Sequence, residues 1–116
     1  MKYMLAIYGN PEKWDSFTPE EFGPIIAATD ALNRQLTESG ELIGAYGVAD
    51  QSEAITVRVV DGVPAVTDGP YLEAKECLAS VSILEVDSLE RAIEIAALNP
   101  ASGYGDVELV ALPHHA

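Results

Sequence analysis

Residues 2–8, KYMLAIY, decide the fold. Side chains alternate across a strand, so Tyr3, Leu5 and Ile7 point one way while Met4, Ala6 and Tyr8 point the other. Both sets are apolar or aromatic, and Gly9-Asn10-Pro11 halts the run and opens a loop. A strand that is greasy on both faces belongs at the centre of a covered sheet. Residues 79–86, ASVSILEV, have the same character, with Val81 and Ile83 on one face and Leu84 and Val86 on the other. They read as a second central strand.

The elements between and around these strands follow from caps and periodicity. Thr18-Pro19-Glu20-Glu21 offers an N-cap hydroxyl, a proline at the first helical position and a glutamate spaced for a capping box. Gly23-Pro24 follows at once, and Pro24 lacks the amide hydrogen that a continuing helix needs. The reading is therefore a short turn, then a main helix from about Pro24. Its stripe is Ile25, Ala28, Leu32 and Leu36 with Thr29 beside them, and Gly40 is placed to end it. Residues 41–47, ELIGAYG, read as a strand. Residues 54–60 and 64–69, AITVRVV and PAVTDG, read as a hairpin closed through Asp61-Gly62. Asp87-Ser88 caps a second helix with Leu89, Ala92, Ile93, Ala96 and Ala97 on one stripe, and Asn99-Pro100 ends it. Residues 106–112, DVELVAL, supply the last strand.

The order strand, helix, strand, hairpin, strand, helix, strand predicts an α+β domain spanning residues 1–116, a ferredoxin-like split βαβ with an inserted β-hairpin. Both helices then cover one face of the sheet. The central strands nevertheless send apolar side chains to the other face, and a large bare apolar sheet is not expected on a soluble monomer. A second copy related by a two-fold axis is the simplest cover, giving a homodimer in which two sheets face each other or curl into a dimeric α+β barrel.

Composition narrows the functional classes. Hydrophobic residues at 48% and charged residues at 22% describe a chain that folds along its whole length. Nineteen acids against six bases give a formal charge of -13, which opposes direct contact with nucleic acid or an anionic membrane. The bases are scattered and form no basic block. The single cysteine, Cys77, excludes an intrachain disulfide and a multi-cysteine zinc site, which suits a reducing compartment. The apolar run at the start is too short for a secretory leader, and nothing later approaches a membrane span, so a cytoplasmic location is the expectation.

The chemistry concentrates in residues 66–76, VTDGPYLEAKE. Gly69 before proline is pushed out of the α region and Pro70 fixes its own φ, so Asp68-Gly69-Pro70 makes a rigid turn. Tyr71 follows as an amphipathic wall. If residues 72–76 are extended, Glu73 and Lys75 share a face with Tyr71 and Glu76 points away. The plain alternative has Asp68 capping its own turn, with the other charges forming a solvated rim.

Within this stretch TDGPYLEAKE resembles the signature of the DGPF group of the YCII-related domain family: Asp-Gly-Pro-aromatic, then Glu-x-Lys-Glu. Tyr71 stands where that group most often has phenylalanine, and the likeness extends to KYMLAIYGN, to ITVRVVDG and to ILEVDSLERAIEIAALNP. The resemblance implies a dimeric α+β fold of ferredoxin-like type. Some YCII-like members have been proposed as enzymes because a histidine and an aspartate meet in a pocket near the dimer interface. Here the only histidines, His114 and His115, stand in the last three residues, and CLASVS occupies the place where relatives have glycines and aromatics. Proteins of the DGPF group are often encoded beside extracytoplasmic-function sigma factors, which implies a sigma factor as an alternative partner for a non-enzymatic accessory protein. An acidic chain suits the basic surface of such a partner.

Two functions follow. In the first, a dimeric pocket protein takes a small polar ligand on Tyr8, Asp68, Gly69, Pro70, Tyr71, Glu73, Lys75 and Glu76, with Asp68 as the candidate general acid or base if its carboxyl is desolvated. In the second, the chain acts by protein contact alone. No cofactor or metal is implied. Trp14 either lines a site with Tyr8 or staples its loop to the core. Cys77, whose only electropositive neighbour in sequence is Lys75, reads as a small packed residue, and the His114-His115 pair receives no role.

Overall fold

The computed structural model describes residues 1–71 and 75–114. Strand β1 (Lys2–Gly9) leads through a one-turn helix α1 (Pro11–Asp15) into the long helix α2 (Pro19–Glu38) and strand β2 (Leu42–Gly47). A 3-10 turn (Gln51–Glu53) precedes the hairpin β3 (Ile55–Val60) and β4 (Val63–Asp68), and β5 (Cys77–Glu85), α3 (Leu89–Leu98) and β6 (Val107–Ala111) complete the chain. This is a mixed α+β domain.

Four strands form an antiparallel sheet in the order β2-β5-β1-β6. The predicted central strand is central: β1 pairs with β5 on one side and β6 on the other, and Tyr3, Leu5, Ala6 and Ile7 are all buried. Tyr3, Leu5 and Ile7 join Leu84 and Val86 in one core with Leu36 of α2 and Ala92, Ile95 and Ala96 of α3. Both long helices therefore cover the same face. On the opposite face the register aligns Met4 with Ile83 and Val110, and Val81 with Ala6 and Tyr46. None of these side chains joins the helix-packed core.

The hairpin stands apart as a two-stranded ribbon with its own register, Val57 opposite Val66 and Val59 opposite Pro64. Asp61 (φ 51) and Gly62 (φ 77) close it with the two positive φ angles that a tight hairpin turn requires. Ile55, Val57, Val59 and Val66 share one face and are each more than 60% exposed. The ribbon lengthens the molecule: the radius of gyration is 16.3 Å, against about 13 Å for a compact chain of this length.

Four details differ from the sequence reading. The residues after Gly9 are not all loop, because Asn10 accepts from the Glu12 N–H and Pro11 presets the first turn of α1. Helix α2 starts at Pro19 and runs through Pro24. The capping box between Thr18 and Glu21 secures its first turn, and the carbonyl that Pro24 leaves without a donor belongs to the exposed Glu20. Ala28 is exposed; the inward stripe of α2 is Ile25, Thr29, Leu32 and Leu36. In α3 the buried residues are Ala92, Ile95 and Ala96, while Leu89, Ile93 and Ala97 face outward. The sequence carries two overlapping apolar stripes, and the sheet takes the one that contains Ile95.

Glu41, at the entry to β2, ties the two layers together. Arg91 of α3 donates to it through Nε (2.7 Å) and Nη2 (2.9 Å), and Ser39 adds a third bond at 2.9 Å. This fork holds the Glu41 carboxyl well below its ordinary range, at about 2, mainly through the bond from Arg91, and raises Arg91 in turn.

Candidate functional site

The turn after β4 is pinned by its backbone. Gly69 takes φ +101, a region closed to most side chains, and its N–H donates to the Ala54 carbonyl at 2.7 Å while its own carbonyl accepts from Thr56 Oγ1 at 2.9 Å. These two bonds fold Asp68-Gly69-Pro70 back onto the start of β3. They also bring the turn against the 3-10 segment, where Asp50 accepts from the Ser52 N–H at 2.9 Å. That bond lowers the Asp50 carboxyl below its usual range and keeps it ionised.

Three adjoining clefts surround this junction. One, of about 400 Å³, lies between Asp50, Gln51 and Ser52 on one side and Asp68, Gly69 and Pro70 on the other. A second, of about 310 Å³, shares Gln51 and Pro70 and adds Tyr8, Glu76, Cys77 and Leu78. A third, of about 240 Å³, shares Asp50 and Gln51 and reaches Lys75 and the start of α1 at Asn10 and Glu12. Glu12, Asp50, Asp68 and Glu76 outnumber Lys75, the one cationic side chain in the lining among the described residues, and Val48, Ala49, Ala54 and Leu78 add hydrocarbon to the second cleft, so the charged part of the site favours hydrogen-bond donors.

The structure thus brings Tyr8, Asp68, Gly69, Pro70, Lys75 and Glu76 to the borders of these clefts. Tyr71 is 76% exposed and borders none of the three. Glu73, and with it the expected shared face with Lys75, lies outside the described residues. Asp68 is exposed, so any desolvation of its carboxyl must come from outside this chain. The Tyr8 hydroxyl lies 3.5 Å from Glu108 Oε1 on the face of the sheet away from the helices. Cys77 is half-buried, with its Sγ 3.7 Å from the Gly9 carbonyl.

Trp14 lies on the other side of the sheet from Tyr8. Its indole meets Phe17, Phe22 and Tyr104 at centroid distances of 5.4, 5.6 and 5.8 Å, and rests over Gly9 where a Cβ would collide with Nε1. It staples the loop to the body, as one of the two sequence readings has it. Sequence reasoning missed Asp50, Gln51 and Ser52. The Asp-x-Ser spacing signals a local cap, but only the bond from Gly69 to Ala54 shows that the cap faces Asp68. Among the described residues no group of three His, Cys, Asp or Glu is placed to hold a metal ion. No helix of the described residues is long and apolar enough to cross a membrane.

An antiparallel sheet backed by helices on one face, with an inserted hairpin and three small clefts at its glycine-proline turn, defines a small α+β fold. The chain belongs to the YCII-related domain family, whose model matches residues 1–112. It is similar to an uncharacterized protein of Rhizobium meliloti (strain 1021), 28% identical over 97% of this chain and 94% of the relative.

Proposed function

We propose that the protein is a ferredoxin-like homodimer that binds a small polar ligand in the clefts beside the Asp68-Gly69-Pro70 turn. The strand order β2-β5-β1-β6, with two helices on one face and the β3–β4 hairpin inserted before β5, supports the split βαβ description. The observation that carries the ligand reading is that three clefts share Pro70 or Asp50-Gln51, with Tyr8, Asp68, Lys75 and Glu76 divided among their linings. The excess of carboxyl groups selects a neutral or cationic ligand carrying hydroxyl or amino donors.

The second copy covers the helix-free face of the sheet and the apolar face of the hairpin. This cover removes water from the cleft edge, which is the condition under which Asp68 becomes useful as a general acid or base. A reducing, cytoplasmic setting suits the free Cys77.

A thermal-shift screen of polyols, amino acids and amines tests the reading. A ligand present at a hundredfold excess over its Kd adds about 2.7 kcal/mol to stability. Asp68→Ala and Lys75→Ala are expected to weaken a hit at least about tenfold, the loss of one charged hydrogen bond. Hits that bind both folded variants as tightly as the parent chain would remove the turn from the site.

A further inference from the structure

A separate cavity, of about 310 Å³, lies on the helix-covered side of the sheet, opposite Tyr8, between the first half of α2 and strand β5. Three features of the fold make it. Strand β5 carries a bulge: Ile7 pairs with Ser80 and Tyr8 with Leu78, which leaves Ala79 as the extra residue. Both Ala79 and Ser80 border the cavity, so two small side chains stand beneath the helix where Leu84 fills the same layer further along. Helix α2 is seated only at its far end, since Leu36 is its one buried residue whereas Ile25 and Thr29 are half-buried and Ile26 is 46% exposed. Trp14 and Phe22, locked edge to face, wall one end.

The lining is mainly hydrocarbon, and its one buried polar side chain is Asn99. Asn99, only 6% exposed, accepts from the Ala101 N–H through Oδ1 at 2.9 Å, which caps the turn after α3. Its Nδ2 has no acceptor among the described residues. Asn99 lines the cavity, and with Oδ1 engaged by Ala101 the amide nitrogen is the polar group it has left to offer there. A ligand's acceptor oxygen can take that donor while its hydrocarbon body displaces water from the apolar walls. Asp30 at the rim, on a chain of formal charge -13, turns away anions.

We propose that this cavity is a binding site for a small neutral molecule with a compact hydrocarbon or aromatic body and one carbonyl or hydroxyl oxygen. The body lies against Trp14, Phe22 and Ile25, and the oxygen accepts from Asn99 Nδ2. Its volume falls in the range of small-ligand sites, about 300–1,000 Å³, and its plan of apolar walls with few convergent polar groups is theirs as well. The site uses neither the turn at Asp68 nor the second copy, so it stands or falls independently of the polar clefts.

Trp14 is the sole tryptophan, so its emission reports occupancy directly. Titration with acetophenone is expected to give a saturable change, with ethylbenzene, which has the same ring and no oxygen, binding more weakly. Asn99→Asp keeps the acceptor for Ala101 and replaces the amide donor by an oxygen; it should weaken acetophenone at least about tenfold and leave ethylbenzene nearly unchanged. Ala79→Leu fills the hollow and should abolish both. A non-saturating response up to the solubility of acetophenone would overturn the proposal, as would undiminished affinity in a folded Asn99→Asp or Ala79→Leu chain. Should Ala79→Leu fail to fold, the paired titrations of Asn99→Asp decide the matter.

Discussion

Gly69 carries a conformation that its neighbours need. At φ +101 and before a proline, it alone lets the chain reverse while offering its N–H to Ala54 and its carbonyl to Thr56. Gly69→Ala should destabilise the fold by about 1–3 kcal/mol, the cost of a side chain in such a region, as measured by denaturant unfolding. An unchanged midpoint would show that the turn is not fixed by its backbone. Glu41 makes a prediction in pH. Its folded pKa, about 2, lies below the ordinary 4.5, so its stabilising contribution is complete above about pH 5 and disappears as pH falls toward 2. The parent chain should therefore exceed Glu41→Gln in melting temperature at pH 7, and the gap should close on acidification. At this scale the sequence was informative where chemistry is local. The rigidity of Asp68-Gly69-Pro70 and the cap at Ser88 are both written in adjacent residues. The pairing of Glu41 with Arg91, fifty positions away, is not.

Elements were legible to the degree that one stripe or one cap dominated. Strand β1 announced itself because both of its faces are apolar, and it lies mid-sheet. In helix α3 the predicted stripe contains the buried Ala92 and Ala96 but takes Leu89, Ile93 and Ala97 in place of Ile95, since LERAIEIAAL offers two overlapping stripes and only the sheet beneath chooses between them. Pro24 misled for a related reason: a proline breaks a helix when its lost bond is buried, and here that bond faces water. Gly23, beside it, is exposed, has no atom within 4 Å of an added Cβ and lies in the helix interior. Gly23→Ala should gain less than the ~0.5–1 kcal/mol that such an exchange gives in an ordinary helix interior, because a Cβ before proline crowds the Pro24 ring in the α conformation. A melting-temperature gain of the full size would show that the Gly23-Pro24 step carries no such crowding. The site was half legible: the turn was read directly, whereas Asp50 and Ser52 reached it only through the folding of the hairpin.

At the scale of the whole molecule, apolar side chains on the helix-free face and on the hairpin are left without a covering layer among the described residues. Met4, Val81 and Ile83 on the helix-free face, Tyr46 beside them, and the valines of the hairpin form two greasy areas on a chain that is otherwise strongly acidic. A two-stranded ribbon is marginal by itself in water, so the hairpin needs something to lean on. Two copies of charge -13 repel, and the interface must overcome that repulsion by burying apolar area on the order of the 1,200–2,000 Å² typical of stable interfaces. Association should accordingly tighten as salt screens the charges, the reverse of an interface held by ion pairs. Concentration-dependent sedimentation at low and high ionic strength reads this trend, and weakening in salt would point to an interface of the other kind. The most direct measurement is the mass of the folded chain in dilute solution by light scattering. The proposal requires about twice 12.3 kDa at low micromolar concentration, and a well-folded species of 12.3 kDa with its hairpin intact would contradict it.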